Sequence, residues 1–192
     1  MRLFVAVELD EAVRIAAERT AGMLRDRLRG TRLDARWVTA DKLHFTLVFI
    51  GHVDDAHADR FAAAIQRPFV RAAFPIRLGT CGVFPPSGPP RVIWIGVAEG
   101  AEALRELQHD VVVRLEPLGF EAERRPFRAH LTLARVKDID RRASRDARGI
   151  VTAAPPPDAA SLVARVTLFR SPLSPQGSRY EPLAHGELAQ GV

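Results

Sequence analysis

Two four-residue strings constrain this chain more than anything else in it. His44-Phe45-Thr46-Leu47 and His130-Leu131-Thr132-Leu133 lie 86 residues apart (130 − 44), each inside an apolar run of strand character. Residues i and i+2 of a strand share a face. His44 and Thr46 therefore project together, as do His130 and Thr132. Phe45, Leu47, Leu131 and Leu133 turn the other way, toward a core. A fold that holds both strings must offer two strands, each with one face buried and one polar face open.

The elements around the two strings repeat as well. The first copy opens with a buried strand at Leu3–Val7. A helix follows, capped by Asp10, with Val13, Ala17, Leu24 and Leu28 on one face, and it ends at Gly30. A short strand at Ala35–Val38, a longer one at Leu43–Val53 and a helix behind Asp54 and Asp55 come next. The strand Phe74–Phe84 then stops at a proline-rich loop, Pro85–Pro90. The order restarts with a strand at Arg91–Val97 and a helix over Gly100–Leu118. After them come a short strand at Phe120–Glu123, a stronger one at Phe127–Val136 and a poorly amphipathic helical stretch within Asp138–Arg148. A strand at Leu162–Phe169 and a last edge strand at Arg179–Leu188 finish the chain. The opening strands precede their His-x-Thr strings by 41 residues (44 − 3) and 38 (130 − 92).

This order predicts an α+β fold in which a β-α-β-β-α-β unit occurs twice. Two lobes would be related by a pseudo-two-fold axis, with a cleft between them. The expected organisation is one bilobal domain over residues 1–192, with a repeat at roughly 1–88 and 89–170 and a tail at 171–192.

Composition narrows the function. Of 192 residues, 47% are hydrophobic and 27% charged, the balance of a globular chain. The single cysteine, Cys81, excludes an internal disulfide framework and a cysteine-rich zinc site, and in a strand it is expected to be buried and inert. An acidic residue at Glu8 comes too early for a signal-peptide core, and no apolar run is long enough to span a bilayer. The cytoplasm, without membrane contact, is the expected location. Lys+Arg number 28 against 23 Asp+Glu, and only Lys42 and Lys137 are lysines. The net charge of +5 favours an anionic partner without identifying one. Arg124-Arg125 and Arg141-Arg142 read as solvated faces.

Two imidazoles facing one another suit phosphoryl chemistry. A neutral one takes a proton from the attacking water, and a protonated one gives a proton to the leaving oxygen. With a pKa near 6.5, histidine supplies both forms near neutral pH. The hydroxyls of Thr46 and Thr132 can hold phosphate oxygens. That scheme calls for no metal and no cofactor. Zinc is the competing use of two histidines, but only Asp41 and Asp138 flank the strands and no third ligand suggests itself.

Together the paired HFTL and HLTL, the opening MRLFVAVEL, the KLHFTLVFIG block, PRVIWIGV, HLTLAR and the terminal LFRSPLSPQGSRYEPL resemble the LigT-like RNA 2′,3′-cyclic phosphodiesterases of the 2H phosphoesterase superfamily, over essentially the whole chain. The resemblance implies opening of a 2′,3′-cyclic phosphate at an RNA 3′ end to a 2′-phosphomonoester, and in some members a 2′–5′ joining of tRNA halves. It implies His44 as proton donor and His130 as acceptor, roles that the symmetric strings cannot assign by themselves. By the same analogy Arg135 holds the phosphate. Strict alternation points Arg135 away from His130, and only a bulge or the strand's end would turn it inward. Arg128, two residues before His130, is the alternative. Ala129 stands where relatives usually carry proline.

Phe84 and then Tyr180 are the expected base-stacking aromatics. Trp37 and Trp94 are expected in the core, and His52, His57, His109 and His185 at the surface. Two other functions compete. One is a two-histidine phosphodiesterase for small cyclic nucleotides or 2′–5′ linkages, and the other is a non-enzymatic RNA-binding module. A monomer is expected.

Overall fold

The apolar runs of the sequence become strands of one continuous sheet. The computed structural model describes residues 1–123, 125–172 and 179–190; the loop reading at 173–178 and the expectation for Arg124 fall outside them. The strands are β1 (Arg2–Glu8), β2 (Asp34–Trp37), β3 (His44–His52), β4 (Phe69–Ala72), β5 (Phe74–Phe84), β6 (Val92–Glu99), β7 (Leu131–Asp138), β8 (Ala160–Val163), β9 (Arg165–Arg170) and β10 (Glu181–Ala189). The helices are α1 (Glu11–Leu28), α2 (Asp55–Gln66), α3 (Ala101–Leu115) and α4 (Ala143–Thr152).

The sheet runs β4-β10-β9-β1-β3-β7-β6-β5-β8, with β2 paired to β7 off this path. Outward from its centre, β3-β1-β9 on one side mirrors β7-β6-β5 on the other, the two-fold order that the repeat predicts. The halves nevertheless exchange elements. Pro85–Pro90 closes a hairpin between β5 and β6, so β5 must lie beside β6, and β9 returns to pair with β1. The first helix of each copy crosses as well: α1 packs on β7 and α4, while α3 packs on β3 and α2.

One face of the sheet is sealed. Leu3, Val5, Val7, Phe45, Leu47, Ile93, Ile95, Leu131 and Leu133 pack there with Val13, Leu24, Ile65, Leu104 and Leu115 of the helices. Among the described residues, the buried apolar cluster on the opposite face is a small one of Phe4, Ala6 and Phe169, flanked by Tyr180. His44, Thr46, His130 and Thr132 stand on this open face.

Several expectations change. No strand forms at Phe120–Glu123, and the described part of residues 120–130 is irregular, holding Pro126 and exposed Glu121, Glu123 and Arg125. The strand expected from Phe127 therefore starts only at Leu131. The first helix ends at Leu28, and Gly30 lies in a 3₁₀ turn behind it. Arg32, with φ 53°, takes the left-handed conformation there. Asp10 sits at the helix start, but its carboxylate accepts from Ser161 Oγ at 2.7 Å and does not cap the helix. Asp54 does cap α2, accepting from the His57 amide at 2.8 Å. The helix α4 is properly amphipathic, burying Ser144, Ala147 and Val151. The last strand is not at the edge: β4, a four-residue strand not expected from the sequence, pairs outside it in parallel. The apolar run ending at Phe169 splits into β8 and β9. Trp94 leaves the core for the open face, lying over Gly82, where a Cβ would run into its ring.

Candidate active site

The two His-x-Thr strings meet at the sheet's centre. Phe45 and Leu131 are partners in the β3–β7 ladder. Continuing that antiparallel register sets His44 across from Thr132 and Thr46 across from His130. The histidines thus occupy diagonal corners, roughly 7–8 Å apart by ladder geometry, a span that can bracket a phosphate. All four side chains are half-buried.

Each imidazole is held the same way. His44 Nδ1–H donates to the Lys42 carbonyl at 2.8 Å, and His130 Nδ1–H donates to the Arg128 carbonyl at 2.8 Å. A carbonyl can only accept, so Nδ1 must carry the proton and Nε2 is left for chemistry. Neutral, Nε2 is a base; protonated, it is an acid. Each ring also meets an aromatic at a right angle. Tyr180 stands 5.2 Å from His44, and Phe84 stands 5.1 Å from His130. Phe4 lies beside His44 at 5.0 Å, and Trp94 supports Phe84 at 5.0 Å.

A bulge decides where Arg135 points. Trp94 pairs with Thr132 but Ile93 pairs with Ala134, so Leu133 is an extra residue in β7. Alternation restarts after it, and Arg135 comes out beside Val92 on the face of Thr132. Strand β3 repeats the device: Ala6 pairs with Thr46 and Val5 with Val48, making Leu47 the extra residue. The position equivalent to Arg135 is Phe49, 56% exposed and 6.3 Å from Phe4. Sequence reasoning missed Phe49. The signal was there, in two consecutive buried apolar residues after each threonine, Leu47-Val48 and Leu133-Ala134. Arg128 enters through its carbonyl; its guanidinium is exposed and makes no hydrogen bond or ion pair among the described residues.

Electrostatics separates the two rings. Burial pushes both below the ordinary imidazole value, and the Arg135 cation pushes both further in the same direction. The backbone hydrogen bonds pull back. His44 also feels Glu8, its ladder partner across β1–β3, which favours the imidazolium, and the His130 ring, which weakly opposes it. Glu8 is fixed by the Thr167 hydroxyl at 2.7 Å, and that buried hydroxyl in turn contacts His185 Nδ1 at 3.0 Å. Cys81 is buried, with its thiol pushed up to about 11, and takes no part. Among the described residues, no group of three or more His, Cys, Asp or Glu side chains could hold a metal ion.

A family model described as the 2′-5′ RNA ligase superfamily matches residues 14–173. The chain belongs to this superfamily. Its relatives include an RNA 2′,3′-cyclic phosphodiesterase of Archaeoglobus fulgidus, 34% identical over 190 residues, covering 95% of this chain and 98% of that one. Another from Methanothermobacter thermautotrophicus is 33% identical, covering 94% and 95%. Among solved structures, Escherichia coli LigT in apo form superposes with a TM-score of 0.75 at 25% identity, covering 98% of each chain. As a superfamily member the chain shares its α+β fold with LigT.

Proposed function

We propose that this chain is an RNA 2′,3′-cyclic phosphodiesterase working by metal-independent acid–base catalysis between two histidines. The observation that carries the reading is the paired tautomer lock, which leaves two Nε2 atoms on one open face with Thr46 and Thr132 between them. The names of the relatives at 33–34% identity support the substrate class, and LigT has been solved with 3′-AMP.

In this scheme water attacks the cyclic phosphorus, and its proton passes to His130 Nε2. The bond from phosphorus to the 3′ oxygen breaks, and His44 Nε2–H protonates that oxygen. A 2′-phosphomonoester and a 3′ hydroxyl remain. Glu8 favours His44 as the acid, because it stabilises the protonated ring. Thr46, Thr132 and Arg135 would bind the nonbridging phosphate oxygens. Phe84, Tyr180 and Phe49 offer aromatic surface to the terminal base, with Arg128 at the rim. With the 5′ hydroxyl of a second RNA in place of water, the same steps form a 2′–5′ phosphodiester and free the 3′ hydroxyl, with tRNA halves as substrates. A cytoplasmic monomer suffices for all of this.

The deciding assay is turnover of a short RNA with a 2′,3′-cyclic phosphate end in excess EDTA, its product compared with authentic 2′- and 3′-phosphates. A 2′-phosphate formed in EDTA is expected. Activity abolished by chelator and restored by zinc would overturn the metal-free scheme. Turnover of small cyclic nucleotides alone would move the chain to another two-histidine activity.

The pH dependence follows from the electrostatics. His44 must be protonated and His130 neutral, so His44 sets the alkaline limb and His130 the acid limb. Both rings are pushed down, so kcat/KM should peak on the acid side of the ordinary histidine value, about 6.5. A bound phosphate anion raises His44, so the alkaline limb of kcat should lie at higher pH than that of kcat/KM. Glu8→Gln should move the alkaline limb of kcat/KM to lower pH and leave the acid limb in place. Equal movement of both limbs would show that Glu8 does not act on His44 selectively.

A further inference from the structure

The tip of the β5–β6 hairpin has two walls. The near wall begins at Phe84, which meets His130 on the open face. The far wall faces α4 across an open groove of about 480 Å³, lined by Gly88, Pro89, Arg141, Ser144, Arg145 and Arg148. Arg148 bridges it, donating to the Pro85 carbonyl at 3.1 Å and to the Gly88 carbonyl at 2.7 Å. The residue that follows Phe84 is thereby tied to α4, and the groove is fixed relative to His130.

Arg141 and Arg145 are exposed at the groove's mouth, and neither has a carboxylate within 4 Å among the described residues. Of the acids nearby, Asp140 accepts from the Arg142 amide at 2.6 Å, and Asp146 is exposed on α4 without an ion-pair partner among the described residues. The repeat provides an internal comparison. Helices α2 and α4 each follow a His-x-Thr strand, yet residues 54–60 carry Asp54, Asp55 and Asp59 against Arg60, whereas residues 140–148 carry Arg141, Arg142, Arg145 and Arg148 against Asp140 and Asp146. The field therefore draws a polyanion to the α4 side and repels it from the α2 side.

We infer that this arginine groove receives backbone phosphates of the RNA strand upstream of the cyclic end, after the strand crosses the hairpin tip. The inference rests on the phosphodiesterase reading and extends it from a terminal nucleotide to a strand several nucleotides long. Arg141 and Arg145 supply the phosphate contacts, and Arg148 holds the wall. The contacts are with the backbone, so the groove discriminates by length and not by base.

The test compares wild type with the Arg141→Ala/Arg145→Ala double variant on two substrates, a ten-nucleotide RNA ending in a 2′,3′-cyclic phosphate and a 2′,3′-cyclic mononucleotide. The variant should lose kcat/KM on the long RNA and keep it on the mononucleotide, which also shows that the site is intact. Two single-strand phosphate contacts contribute about 0.7 each to the salt slope, so raising salt from 50 to 200 mM should cost wild type about sevenfold more on the long RNA than it costs the variant. Unchanged long-RNA kinetics and salt slope would overturn the groove, and so would an equal loss on both substrates. If wild type turns over neither substrate, the phosphodiesterase reading fails instead. The salt dependence of direct binding to the same ten-nucleotide RNA, wild type against variant, then still decides the groove.

Discussion

His130→Ala is expected to lower kcat by about 10²–10⁴, and His44→Ala by a similar factor, the range for one general acid or base. Neither change should unfold the protein, because both rings are half-buried on the open face and outside the main core. The double variant should be little worse than either single one, since the two rings serve the same transition state and act as a unit. Single-turnover rates on a cyclic-phosphate RNA measure all three. A single variant within about tenfold of wild type would remove that histidine from the chemistry. An aryl phosphodiester separates the roles, because its leaving group needs no proton. On that substrate His44→Ala should recover much of its loss and His130→Ala should not. The opposite pattern would exchange acid and base.

Phe45→Ala should be the most destabilising change near the site, at about 3–5 kcal/mol. Phe45 is fully buried between His44 and Thr46, and it pairs with Leu131 where the two halves of the sheet join. Truncation opens a cavity under the seam, with backbone from both halves around it. In a chain of this length each kcal/mol is worth about 2–4 °C in Tm, so thermal unfolding should show the loss directly. Activity measured well below Tm should fall too, because the diagonal of His44 and His130 depends on that pair. A Tm within about 2 °C of wild type would mean that the seam repacks around the smaller side chain.

Much of this architecture is legible along the chain. Alternation around His44 and His130 separates the polar from the apolar face correctly, since Phe45, Leu47, Leu131 and Leu133 are all buried. The helix faces follow from apolar spacing: Val13, Ala17, Leu24 and Leu28 of α1 are buried. Local propensity and period carry that information, and each needs only a few neighbouring residues. Failures cluster where a partner strand decides the outcome. Nothing local assigns β9 to β1, because that pairing joins residues far apart in the chain. The segment Phe120–Glu123 pairs with no strand, although its counterpart β2 pairs with β7.

The site divides along the same line. Repetition of His-x-Thr was enough to nominate two histidines and two threonines, because period two is a property of any strand. The ring tautomers, the diagonal placement and the inward turn of Arg135 and Phe49 came only with the fold. Whether Leu133 is an extra residue depends on Ile93 and Trp94 across the ladder, not on β7 alone. The sequence by itself determined which side chains share a face within one unbroken alternation, His44 with Thr46 and His130 with Thr132. The tertiary structure decided which faces meet, because hydrogen-bond register between strands is set by residues far apart in the chain.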